Sequence, residues 1–190
     1  MTAPRFHVAA RLLHWLMAVM IVAMLFFGIG MVSTVSAAHT WLLDLHRPLG
    51  ILILALAVVR LAVRLTHRVP PLPADLPRWQ AAAARASHYG LYGLMFVLPL
   101  VGWAMLSAAG YPIVLWGSTH LPPIAPINPA LYAALRQAHT VLALMLFLVV
   151  LIHVGAALFH AWVRRDGVFA SMALWQMRRH REDGTRKQSA

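Results

Sequence analysis

Apolar residues in this chain come in four long, nearly uninterrupted runs, not in the short alternations of strands or the one-sided stripes of surface helices. The first run spans roughly Ala9 to Val32, the second Leu43 to Leu65, the third Ala86 to Ala108 and the fourth Leu131 to Val163. Apolar runs of about 17–25 residues match the hydrocarbon thickness of a bilayer. Backbone amides in lipid must be bonded within the segment, so such runs become helices. The pattern predicts an all-α membrane protein, a four-transmembrane-helix bundle. The fourth run is too long for an upright span and should tilt or extend past the bilayer.

Polar breaks between the runs support this division. Proline lacks an amide donor and blocks helix continuation. Val69-Pro70-Pro71-Leu72-Pro73 should therefore end the second helix, and Leu121-Pro122-Pro123-Ile124-Ala125-Pro126 should precede the fourth. Pro99, followed by Gly102, falls inside the third run and predicts a kink. A short amphipathic helix near Phe169–Met177, with Met172 and Trp175, should lie on the membrane surface. The polar, basic tail beyond Arg178 reads as disordered. Residues 1–168 thus form the membrane domain, and residues 169–190 a surface helix and tail.

Charge orients the bundle. Only 11% of residues are charged, yet the formal net charge is +11. Of the sixteen lysines and arginines, only Arg47 and Arg136 fall on one side of the predicted spans. By the positive-inside rule the other side, with both termini, is cytoplasmic. The cations sit at helix ends, which favours topology over nucleic-acid binding. Arg5 and Arg11 before the first run resemble the start of a signal peptide. Its length, and the interruption by His14 and Trp15, favour a retained span.

Absence of cysteine excludes disulfides, thiolate metal sites, iron–sulfur clusters and covalent haem attachment. Six of the eleven histidines sit within the apolar runs, and four of them lie at depths suited to ligands: His14, His46, His139 and His153. Imidazole is costly facing lipid, so each needs a hydrogen-bond partner or a ligand. His139 and His153 are fourteen residues apart, close to four turns, so they share a helix face about 21 Å apart. That suits two stacked haems near opposite leaflets. By depth His14 pairs with His153 and His46 with His139. Without cysteine these would be two non-covalent b-type haems. An iron held by two imidazoles has no open position and suits single-electron transfer. A lone histidine in such a helix would more simply bond a neighbouring carbonyl; four at matched depths favour ligation. His88, at the depth of His14, is a candidate for supporting a ligand or lining a quinone pocket, and His160 is a weaker one. Either could compete for a ligand position. Arg47 and Arg136 flank His46 and His139 and are candidates for propionate or anion contacts. Arg60 and Arg64 should snorkel to the cytoplasmic headgroups, with a propionate contact as the alternative. Neither a hydrolytic triad, nor a glycine-rich phosphate loop, nor an intramembrane carboxylate pair is present.

Several motifs together resemble the bacterial cytochrome b561 family, related to the cytochrome b subunits of nickel–iron hydrogenases. They are Arg11-Leu12-Leu13-His14-Trp15-Leu16, His46-Arg47-Pro48-Leu49-Gly50 with Val58-Val59-Arg60-Leu61-Ala62-Val63-Arg64, His88-Tyr89-Gly90-Leu91-Tyr92 with Leu98-Pro99-Leu100-Val101-Gly102, and His139-Thr140 with His153 and His160. The similarity runs from Arg5 to Asp166. It implies haem ligation by His14, His46, His139 and His153, a quinone redox partner, and a multi-pass place in the bacterial inner membrane. Some relatives pass electrons from superoxide to ubiquinone. Two features depart from the pattern: Pro48 beside His46, which could shift that helix start, and Arg85, where some relatives carry a second histidine.

The leading expectation is a di-haem oxidoreductase carrying electrons from a periplasmic donor, with superoxide the candidate, to quinone. The alternative is an electron-carrier subunit for a partner dehydrogenase or hydrogenase. A histidine-lined transporter is disfavoured by the lack of intramembrane acids, and nucleic acid is not an expected partner.

Overall fold

The computed structural model describes residues 5–73, 75–111, 113–115 and 119–174. Four long helices run α1 (Val8–Ser33), α2 (Ala37–Thr66), α3 (Arg78–Ala108) and α4 (Pro129–Phe159). Each is long and apolar enough to cross a membrane. A π-helical turn, His160–Arg164, extends α4, and a five-residue α5 (Val168–Met172) follows. No strand occurs among the described residues.

Two helices begin earlier than hydrophobicity alone predicts. Helix α2 starts at Ala37, capped by the Ser36 hydroxyl accepting from Ala38 N–H. Pro48 therefore lies inside α2 and does not displace its start, which corrects the expectation from sequence. Helix α3 starts at Arg78, after Pro77. In both, a polar or interfacial first stretch continues the hydrogen-bond ladder outside the apolar window. With its π-turn, the fourth span runs Pro129–Arg164, 36 residues. At about 1.5 Å per residue it is longer than a bilayer core of about 30 Å. Asn128 caps it by accepting from Leu131 N–H, with Pro129 in the first turn.

Packing divides the bundle into two hairpins. Helix α1 lies on α2, α3 lies on α4, and α2 and α3 join them; α4 makes no comparable backbone approach to α1 or α2. The core is narrow: Met17 and Ile21, Ile53 and Ala57, Leu94, Met95 and Leu98, and Leu146. Many large apolar side chains elsewhere, among them Val19, Phe26, Leu144 and Leu148, are exposed. An outward apolar surface of this kind is solvated by lipid.

The end of the bundle that carries the N-terminus is tied to α5 through backbone carbonyls. Arg5 and Arg11 donate to Ala173 and Leu174, Trp15 Nε1 donates to Met172, and Phe6 N–H donates to Ser171. The predicted surface helix is thus shorter than expected, ending at Met172; Trp175 and the tail lie outside the described residues. At the other end the α3–α4 connection folds back. Trp103 Nε1 donates to Pro122, Ile124 N–H to Ser107 Oγ and Asn128 N–H to Ala108.

Arg165 adopts a left-handed conformation (φ 52°) and stops the π-turn. Asp166 then holds the turn closed, accepting from His160 Nδ1 at 2.6 Å, Arg164 Nε at 3.0 Å and Val168 N–H at 3.2 Å. Burial raises its pKa, but these donors outweigh burial, and the net position is below the ordinary 3.8. A depressed carboxylate adds stability above its unfolded pKa and loses it as pH falls through the folded one. Asp166→Asn is therefore expected to lower the melting temperature at neutral pH and to flatten its decline below about pH 4. Thermal melts of both proteins across that range check this.

Candidate functional site

Imidazole rings from different helices meet at two levels. At the end that carries the N-terminus, His14 of α1 faces His153 of α4 with ring centres 6.3 Å apart and planes at 68°. At the opposite end, His46 of α2 faces His139 of α4 at 6.2 Å and 66°. Both pairs span the seam where α4 stands off from α1 and α2. The pairing inferred from depth is thus the pairing the fold brings together.

A residue every seven positions builds these levels, because seven residues make nearly two turns. On α4 the series is His139, Leu146, His153; on α2 it is His46, Ile53, Arg60; on α3 it is His88, Met95, Gly102; on α1 it is His14 and Ile21. The middle members, Ile21, Ile53, Met95 and Leu146, are all buried core residues. An apolar layer therefore separates two polar ones.

The separation of each pair is informative. Metal–imidazole bonds are about 2.0–2.1 Å, and a ring nitrogen lies about 1.1 Å from its ring centre, so two imidazoles on opposite sides of one metal have centres about 6.2 Å apart. Both pairs have that spacing. No group of three or more metal-ligating side chains occurs among the described residues. The arrangement is two facing pairs of imidazoles, each a donor set that would hold a porphyrin iron.

The second pair lies in a cavity of about 140 Å³ lined by His46, His139, Arg47, Gly50, Gly102 and Ile113, among others. Its ring nitrogens His46 Nδ1 and His139 Nδ1 are buried without hydrogen-bond partners. Buried orphan nitrogens are expensive unless a ligand satisfies them. Gly102 leaves the slot open: a Cβ there would lie 3.3 Å from His139 Cε1. These features fit a flat, nitrogen-ligated group. Arg47 sits in this cavity, 3.9 Å from Asp44. Arg136, its sequence-level companion, is exposed and outside the cavity lining.

The first pair has a cation instead of orphan nitrogens. Arg60 Nη2 contacts His14 Nδ1 at 3.0 Å, and its Nε donates to Tyr92 Oη at 3.2 Å. Arginine only donates, so His14 Nδ1 accepts here and Nε2 is the other nitrogen. His88 is exposed, yet its ring centre lies 5.7 Å from that of His153. His160 belongs to the Asp166 network. Sequence reasoning placed Arg60 at the headgroups and missed its contact with His14; the fourteen-residue interval from His46 was the available signal. Gly102 was noted as part of a helix-kinking motif and of the family resemblance, without a role at the His139 ring.

Residues 5–174 match the family model described as prokaryotic cytochrome b561. The chain is 27% identical over 163 residues to cytochrome b561 homolog 1 of Escherichia coli K12, covering 84% of this chain and 92% of that protein. It is 30% identical over 175 residues to cytochrome b561 homolog 2 of the same organism, with 90% and 92% covered. It is also 30% identical over 132 residues to a Yersinia pestis protein named probable superoxide oxidase CybB, with 70% and 74% covered.

Gly102→Leu is expected to displace the His139 ring and reduce haem absorbance per protein. Gly155→Leu, on α4 with open space around it, should leave that absorbance unchanged. Visible spectra of the two purified variants check this.

Proposed function

This chain belongs to the prokaryotic cytochrome b561 family, and we propose that it holds two b-type haems and carries single electrons through the membrane to quinone. The observation that supports this most is the pair of facing histidine pairs, each spaced for one iron. Haem iron with two imidazole ligands supplies one-electron transfer without an open site for substrate.

His14 and His153 hold one group, and His46 and His139 the other. Ile21, Ile53, Met95 and Leu146 keep water out of the layer between them. A ligating imidazole ordinarily carries its proton on the nitrogen away from the metal. Arg60 must then release His14 Nδ1 and take an anionic acceptor, for which a propionate is suited. Arg47 places a positive charge beside the second pair and draws anions toward it. Arg136, outside the cavity lining, adds to that field from the surface.

We place both termini in the cytoplasm, on the charge asymmetry of the chain. The Arg47 end then faces the periplasm, where superoxide is the candidate donor, in keeping with the name of the Yersinia relative. Two superoxide anions each yield one electron and leave two dioxygen molecules; one quinone takes both electrons and two protons. His88 is suited to relay those protons from the cytoplasmic end. A role as carrier subunit for a partner dehydrogenase has no specific structural support here.

Wild-type protein should contain two haems per chain, and His153→Ala and His139→Ala one each, by pyridine haemochrome assay against protein mass. A wild-type ratio of one, or no loss in either variant, would reject the assignment. Stopped-flow mixing with superoxide should reduce the haems within the mixing experiment; no reduction would remove superoxide as donor. His88→Ala should keep haem content and slow quinone reduction about 10-fold or more, the lower range for lost acid–base assistance.

A further inference from the structure

Between the start of α1, the end of α2 and α5 lies a crevice whose floor includes Arg60 and whose outer lip has no part in the electron path proposed above. Its outer lip carries His7, Arg64, His67 and Arg68. Phe6, Val69 and Met172 provide apolar walls. The His7 and His67 rings lie 4.1 Å apart and tilted by 32°. Deeper in, Arg60 and Arg64 place their guanidinium carbons 5.8 Å and 5.7 Å from the Tyr92 ring centre.

The charges here are one-sided. Only five acidic residues occur in the chain. Asp44 is near Arg47, while Asp75 and Asp166 pair with Arg164. No ion pair to Arg60, Arg64 or Arg68 occurs among the described residues. Like charges gathered at a membrane edge repel one another, and an anion relieves that repulsion. His7 Nδ1 accepts from Ala9 N–H, so its Nε2 carries the proton, whereas His67 Nδ1 donates to the Val63 carbonyl at 3.0 Å.

We propose that this crevice binds the phosphate of an anionic phospholipid headgroup. The two arginines and the His7 Nε2–H supply donors for phosphate oxygens. The apolar walls accept the first part of an acyl chain. The position suits this occupant, because α2 leaves the apolar span at Arg64 and His67 and headgroups lie at that depth. A bound lipid would also join α1, α2 and α5, the elements that carry the lip.

Native mass spectrometry on delipidated, haem-loaded protein tests this. Phosphatidylglycerol, phosphatidylcholine and inorganic phosphate are the probes. One phosphatidylglycerol per chain should be retained, at least about tenfold more tightly than phosphatidylcholine. The Arg64→Gln/Arg68→Gln variant should lose about tenfold or more of that preference while keeping its haem. Arg78→Gln/Arg85→Gln, which removes two exposed charges of α3 outside the crevice lining, should change it by less than about twofold. Arg64→Gln alone serves if the double variant does not fold, and should weaken retention with haem content unchanged. Equal retention of the two lipids, or equal loss in the Arg78/Arg85 control, would overturn the site in favour of diffuse surface attraction. Tight inorganic phosphate binding without lipid retention would overturn the lipid assignment. Haem loss in the crevice variants with lipid binding intact would assign these residues to the haem, independently of the histidine pairs.

Discussion

Imidazole in a hydrocarbon layer must be partnered, and most of this bundle is arranged around satisfying that demand twice. Each pair joins α4 to a helix of the other hairpin, across a seam that the backbones do not otherwise close. Aliphatic side chains packed there instead would bring the helices together. The histidines and Gly102 keep the seam open at the levels where a planar group fits between facing rings.

Separation of the levels follows from helix geometry. The seven-residue series on α2, α3 and α4 carry a polar or small residue at each end and a buried apolar residue between. Because α2 and α4 run opposite to α1 and α3, the series of these two sets of helices read in reverse order. That is how Arg60 comes to His14 and Gly102 to His139. The two levels differ electrostatically: orphan ring nitrogens and one arginine at the His46 level, and an arginine bonded to the ligand candidate itself at the His14 level. Such differences tune an iron's potential through charge and hydrogen bonding around its ligands.

Cations separate into those tied to the protein and those without a carboxylate. Arg5 and Arg11 fasten the segment just after α5 through the Ala173 and Leu174 carbonyls, and Arg164 joins Asp75 to the π-turn. Arg64 and Arg68 have no carboxylate partner among the described residues and line the crevice at the bilayer edge. Net positive charge on one side is thus partly a topology signal and partly local structure.

Much of the architecture was legible without coordinates. Four spans follow from apolar run length, since lipid admits only segments that satisfy their own amides. His14, His46, His139 and His153 stand out because polar rings in those runs are costly, and their depths predict the pairs because depth along a span is nearly linear in residue number. Sequence alone could not set the beginnings of α2 and α3, where polar residues continue a helix beyond the apolar window and Pro48 is carried inside it. Nor could it separate Arg47 from Arg136, or find Arg60 on His14. Those depend on the rotation of each helix about its axis, and rotation is decided by packing against neighbouring helices.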